Sequence, residues 1–249
     1  MKEIILGLIQ GLTEFLPVSS SGHLTVFSKF LEVDQNLAYF AMLHLATFFA
    51  VFIYLFKDIV KILKGIFTLD KNYLSLALKI IISTIPAVIA GFLLNDFFEQ
   101  VFSSVKYVGI FLAVTGLLML FSDRLNKNRK DIFTLSYTEA LFIGLIQAVA
   151  ILPGISRSGS TLFAALLFGM KKEDAVKYSF LMSLPVTFGA GILEMQKGVF
   201  NSWHYIGMAA AFLSGLFGLY LLRKTVINGK TKYFAFYCFA ISAVTLIFL

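Results

Sequence analysis

Hydrophobic residues run in long blocks along this chain, and polar residues gather in short intervals between them. Six blocks, roughly 38–56, 74–94, 105–122, 178–194, 203–222 and 233–249, carry little charge and read as membrane-spanning helices, because about 17–25 apolar residues cross a bilayer core of ~30 Å. Two further apolar runs, 4–16 and 139–152, break the pattern. Each meets a proline, a Ser/Gly-rich turn and a second short apolar run. A helix of about 13 residues reaches only ~20 Å, and two such half-helices joined at depth form a re-entrant hairpin. The pattern predicts an all-α polytopic membrane protein with about six transmembrane helices and two re-entrant helix-turn-helix hairpins.

The two broken runs are copies of one pattern. The first reads GLIQGLTEFLPVSSSGHL from Gly7, and the second reads GLIQAVAILPGISRSGSTL from Gly144. Gln10 answers Gln147, Ser19 answers Ser156, Ser20 answers Arg157, Ser21 answers Ser158 and Gly22 answers Gly159, while Pro17 and Pro153 fall one register apart. The chain therefore reads as one integral membrane domain, 1–249, with one repeat over about 1–122 and a second over about 136–249. Pro86 and Pro185 look like repeat counterparts, yet 38–56 then lacks a partner in the second half.

Loop charge supplies an orientation. Segments 57–73, 123–137, 171–177 and 223–232 are rich in Lys and Arg, whereas 95–104 and 195–202 contain only Lys197. Rich loops belong on the cytoplasmic side, so both termini are expected outside. Three spans separate the two motifs. The first hairpin then dips in from outside and the second from the cytoplasm, an inverted-topology repeat whose turns meet near the midplane.

Composition narrows the class. The chain is 59% hydrophobic and 14% charged, with a mean hydropathy of +0.86, a balance that excludes a soluble domain. The net charge of +7 sits in the short loops, so it marks membrane orientation and no nucleic-acid partner is expected. Cys238 is alone and forms no intramolecular disulfide. The amino-terminal apolar stretch carries Glu3 and Glu14 and lacks an A-x-A-like cleavage site, so it is expected to remain in the mature chain.

The turns carry the candidate chemistry. Gln10 and Glu14 are i and i+4 and share one helix face. Ser19, Ser20, Ser21 and Gly22 open the second half-helix of copy one, with His23 in its first turn. Gly154, Ser156, Arg157, Ser158, Gly159 and Thr161 do the same in copy two. Bare amides and the positive end of a helix dipole favour an anion at such termini, and a guanidinium binds phosphate with two donors. A charge at mid-membrane is costly, so Arg157 is expected to serve that anion. Glu14 and His23 occur only in copy one, where copy two has Ile151 and Ser160. A symmetric phosphate cradle needs neither, whereas acid–base chemistry beside a hydroxyl nucleophile needs both. Lys79 is expected to snorkel, His204 beside Trp203 to sit in an interfacial belt, Ser136 and Glu139 to form a capping box, and His44 to make a core hydrogen bond or line the site. No zinc spacing, P-loop or paired-carboxylate site is present. Mg²⁺ or Ca²⁺ can still bridge Glu14 and substrate phosphate oxygens.

Gln10–Glu14 as Q-x-x-x-E, FLPVSSSGH at Phe15–His23 and LPGISRSGST at Leu152–Thr161 together closely resemble the bacterial undecaprenyl-diphosphate phosphatase family of the bacitracin-resistance type. The resemblance runs along the whole chain. It implies release of the terminal phosphate from a polyprenyl diphosphate lipid, which regenerates a carrier for cell-wall synthesis, at a periplasm-facing site in the bacterial inner membrane. It places catalytic roles on Glu14, Ser20, His23 and Arg157. The phosphate cradle read from the turns gives substrate contacts to Gln10, Ser19, Ser21, Gly22, Gly154, Ser156, Ser158, Gly159 and Thr161. A homodimer is left open. The competing reading is a polyprenyl-phosphate transporter or flippase with the same cradle, since inverted repeats with broken helices also build transporters.

Overall fold

Each apolar block becomes a helix because a backbone in lipid must satisfy its own polar groups. A computed structural model describes the chain apart from residues 34–35, 95–96, 99–100, 102–103, 126–128 and 196–197 and the side chain of Glu194. Lys127 and Lys197, which enter the loop-charge argument, lie outside the described residues. Eleven helices are described: α1 (Lys2–Phe15), α2 (Ser20–Phe30), α3 (Leu37–Tyr54), α4 (Phe56–Phe67), α5 (Lys71–Leu93), α6 (Val105–Ser122), α7 (Tyr137–Val149), α8 (Arg157–Leu167), α9 (Lys172–Met195), α10 (Ser202–Ile227) and α11 (Lys232–Phe248). Five of these, α3, α5, α6, α9 and α10, are long and apolar enough to cross a membrane. The sixth expected span corresponds to α11, an apolar helix of 17 residues. The protein is a multi-pass, all-helical membrane protein.

The broken runs fold as short helices on either side of their turns. α7 starts on the expected capping box between Ser136 and Glu139. Two local expectations are corrected. Segment 57–73, read as a loop, contains α4, an amphipathic helix whose lysines hid its apolar positions. Lys79 does not snorkel: it is buried, and its ammonium donates to the Phe133 carbonyl at 2.8 Å. His204 closes a capping box with Asn201 at the start of α10.

Small residues set the tightest packing. α1 lies along α10, and α7 lies along α5. A Cβ on Gly7 would stand 2.1 Å from the Gly207 carbonyl oxygen, and one on Gly11 would stand 2.2 Å from that of Ala211. In the second copy, a Cβ on Gly144 would stand 2.6 Å from the Ser83 carbonyl oxygen. Without water to drive association inside lipid, such close backbone approach is how membrane helices gain contact. α1 packs on α2 and α10, α7 on α8 and α5, α3 on α9 and α10, α5 on α9, and α6 on α11. Pro86 lies within α5 and Pro185 within α9.

The Lys/Arg-rich segments are bonded to one another at one end of the bundle. Asp58 pairs with Lys177 at 2.9 Å. The Lys171 amide donates to the Lys130 carbonyl at 2.8 Å, and the Thr231 amide donates to Asp123 at 3.0 Å. At the other end the Tyr39 hydroxyl donates to the Glu3 carbonyl at 2.7 Å, and its ring lies against His204. The starts of α1, α3 and α10 therefore meet there.

Candidate active site

The two Ser/Gly turns pack directly on each other. A Cβ on Gly22 would meet the Gly154 Cα at 3.1 Å, and one on Gly159 would meet the Pro17 Cβ at 2.9 Å. Pro17 and Gly154 hold equivalent places in the two copies, so the contact is itself pseudo-symmetric. Ser19 adopts φ of 66°, a region that L-residues seldom visit. Its hydroxyl oxygen accepts the Gly22 amide at 3.3 Å and the Gly154 amide at 3.1 Å, which ties the strained turn to its partner. Ser156 accepts the Gly159 amide at 3.1 Å, and Ser158 donates to the Leu16 carbonyl at 3.2 Å. Thr115 of α6 completes the joint, accepting the Ser156 amide at 2.9 Å and donating to the Gly154 carbonyl at 2.8 Å.

This joint brings Glu14 and Arg157 together. One Glu14 oxygen, Oε1, takes the Arg157 guanidinium Nη2. The other, Oε2, accepts the Ser20 hydroxyl at 2.5 Å and the Gln10 amide at 3.0 Å. Glu14 is almost fully buried, whereas Ser20, Ser21 and Arg157 are partly exposed at its rim. A buried carboxylate persists only when paired and hydrogen-bonded, and here its donors come from both copies. Ser20 and Arg157 are the first residues of α2 and α8. Side-chain caps take only the third amide of each helix, those of Gly22 and Gly159. Both helix starts thus offer donors toward an anion at the rim.

His44 belongs to the same cluster. Its Nδ1 lies 2.9 Å from Gln10 Nε2 and 3.2 Å from Glu14 Oε2, and the ring is partly exposed. Gln10 donates one N–H to the carboxylate and the other to this imidazole, while its own oxygen is buried without a partner among the described residues. The signal in the sequence was a single histidine within an apolar span, which describes a packing residue equally well.

His23 and Thr161 lie away from the carboxylate. His23 is buried, with Nδ1 donating to the Ser19 carbonyl and Nε2 accepting from Tyr237, each at 2.8 Å. It therefore holds the Ser19 turn and α11 rather than touching Glu14. Thr161 is buried against α9, where it meets the Ser179 hydroxyl at 2.6 Å. Ser21 stays at the rim, 3.4 Å from Ser19.

For a divalent cation, the donor set is unpromising. Hydrogen donors face both Glu14 oxygens, and among the described residues no three His, Cys, Asp or Glu gather. Beside the second hairpin, Val114, Leu118, Phe142, Leu145, Ile146 and Val149 line an open apolar surface groove that also reaches Ser160.

The chain matches the family described as bacitracin resistance protein BacA over residues 3–244, and it belongs to that family. It is 57% identical over 249 residues to a Methanococcus maripaludis (strain C6) protein named undecaprenyl-diphosphatase, covering 100% of both chains. Proteins of the same name in Thermosipho africanus and Thermotoga petrophila are 55% identical over 244 residues and 42% identical over 236 residues, covering 98% and 95% of each chain. These relatives include archaeal ones, so membership does not by itself assign the chain to a bacterial inner membrane.

Proposed function

We propose that the protein is a membrane phosphatase that converts undecaprenyl diphosphate to undecaprenyl phosphate and inorganic phosphate. One observation carries this reading: a buried carboxylate holds a serine hydroxyl at 2.5 Å on one oxygen and an arginine from the opposite copy on the other. A carrier has no use for a hydroxyl activated in this way, whereas phosphoryl transfer needs a base, a nucleophile and a charge clamp.

In this reading the terminal phosphate sits at the rim. It takes donors from Arg157 and from the starts of α2 and α8. Ser20 Oγ attacks the terminal phosphorus as its proton passes to Glu14. The bond to the bridging oxygen breaks and the prenyl monophosphate leaves. Glu14 passes that proton to the departing monophosphate. Water then attacks the phosphoserine, losing a proton to Glu14, which hands it to the Ser20 oxygen as inorganic phosphate departs. Arg157 counters the charge that builds on the phosphoryl oxygens. Gln10 and His44 fix the carboxylate, and His23 fixes the turn that presents Ser20. The open apolar groove beside the second hairpin suits part of an isoprenoid tail.

The finer topology belongs to the same proposal. Two re-entrant hairpins in an inverted repeat, with α3, α5 and α6 answering α9, α10 and α11, bring the turns together at mid-membrane. The Lys/Arg-rich end is cytoplasmic, both termini lie outside, and the rim opens outward. Support comes from the matched helix pairings and from the hydrogen bonds that gather the basic segments at one end.

Phosphate release by detergent-solubilised protein tests the assignment. Steady release is expected, with a loss on the order of 10²- to 10³-fold in Arg157→Ala and Glu14→Gln. No release from folded wild-type protein overturns the enzyme reading and leaves the carrier. Acid quench with substrate labelled on the terminal phosphate tests the covalent step, and an unlabelled Ser20 overturns it.

A further inference from the structure

α4 presents three distinct faces. Ile59 and Ile62 pack on the core, Asp58 pairs with Lys177 of α9, and Gly65 lies so close to α5 that a Cβ would stand 2.4 Å from that of Tyr73. These contacts fix the helix against the bundle. Phe56, Val60, Leu63 and Phe67 form a second stripe at i, i+4, i+7 and i+11, all exposed, Phe67 by 85%. Lys57, Lys61 and Lys64 form a third, exposed stripe roughly a quarter-turn from the apolar one. Twelve residues of helix reach about 18 Å and cannot cross the bilayer. α4 joins the end of one candidate span to the start of the next, so it lies at the membrane boundary.

We propose that α4 is an interfacial helix that docks on anionic phospholipid headgroups, with its apolar stripe in the acyl region and its lysines on headgroup phosphates. Adjacent apolar and basic stripes on a short helix fixed at a membrane boundary are the geometry such a surface selects. α4 has no counterpart in the proposed repeat, which agrees with a role separate from the catalytic cradle. A second copy of the chain is a poorer occupant, because three exposed lysines on a two-fold contact repel their own images.

The full-length protein tests this in two ways. Native mass spectrometry in detergent, with equal phosphatidylglycerol and phosphatidylcholine, reads headgroup preference. Wild type is expected to retain phosphatidylglycerol preferentially. The triple variant Lys57→Gln, Lys61→Gln, Lys64→Gln is expected to lose that preference by up to about a hundredfold at low salt, from about fivefold per lysine, and by less as salt screens the charges. Phosphate release by the same variant should match wild type, which shows that it is folded. Equal retention by both proteins overturns the proposal. Independently, a dye on the Phe67→Cys variant in vesicles should be quenched by brominated acyl chains; Cys238 is buried and so spared from labelling. Quenching by aqueous iodide alone, or energy transfer between labelled copies with no lipid quenching, also overturns it.

Discussion

At the scale of single residues, Glu14 organises the candidate site, and His44 is the residue that sequence reasoning left undecided. His44 lies behind the carboxylate, accepting the second N–H of Gln10. The His44→Ala variant is expected to lower kcat about tenfold with little change in KM, because the base loses its support while the phosphate donors stay in place. The His44→Gln variant, which keeps an acceptor, should recover part of that loss. Steady-state kinetics on the purified variants decide this, and a pure KM effect would place His44 with the substrate instead. Spacing and the cost of a buried charge single out Gln10, Glu14 and Arg157, which the structure brings together with Ser20. The contacts of His23 and Thr161 were less legible. Tyr237, the partner of His23, lies far along the chain, and Ser179, the partner of Thr161, lies on the next helix, where no local pattern announces the contact.

At the scale of elements, glycines decide how close the half-helices come to their supports. The Gly7→Ala and Gly144→Ala variants each drive a methyl into backbone, near the Gly207 carbonyl and Ser83. Each is expected to cost about 1–3 kcal/mol, in line with overpacked sites elsewhere. Thermal unfolding in detergent measures it. Gly91→Ala serves as the control, since no atom lies within 4 Å of its added Cβ. The long apolar helices were legible from length and hydropathy alone. α4 was not, because lysines at helical spacing in an interval between spans look the same as loop charge until the apolar stripe beside them is placed on a wheel. Lys79 fails the snorkelling expectation for a related reason: its acceptor, the Phe133 carbonyl, belongs to a distant turn.

At the scale of the whole molecule, each hairpin is seated on a long helix of the other half, α1 on α10 and α7 on α5. Halves made separately, ending at residue 128 and beginning at residue 129, are expected to be inactive alone. Made together in one membrane, they should regain phosphate release. Activity from either half by itself would show that the shared carboxylate–guanidinium pair is dispensable.

That arrangement also has a consequence in time. A ribosome delivers α1 first, yet the helix that covers Gly7 and Gly11 begins only at Ser202. Until then the α1 face at Gly7 and Gly11 stays uncovered, and Glu14, already beside Ser20 and His44, waits for Arg157. Nascent chains stalled before α10 should leave residues 1–30 open to protease, and release of a chain that includes α10 should close them off.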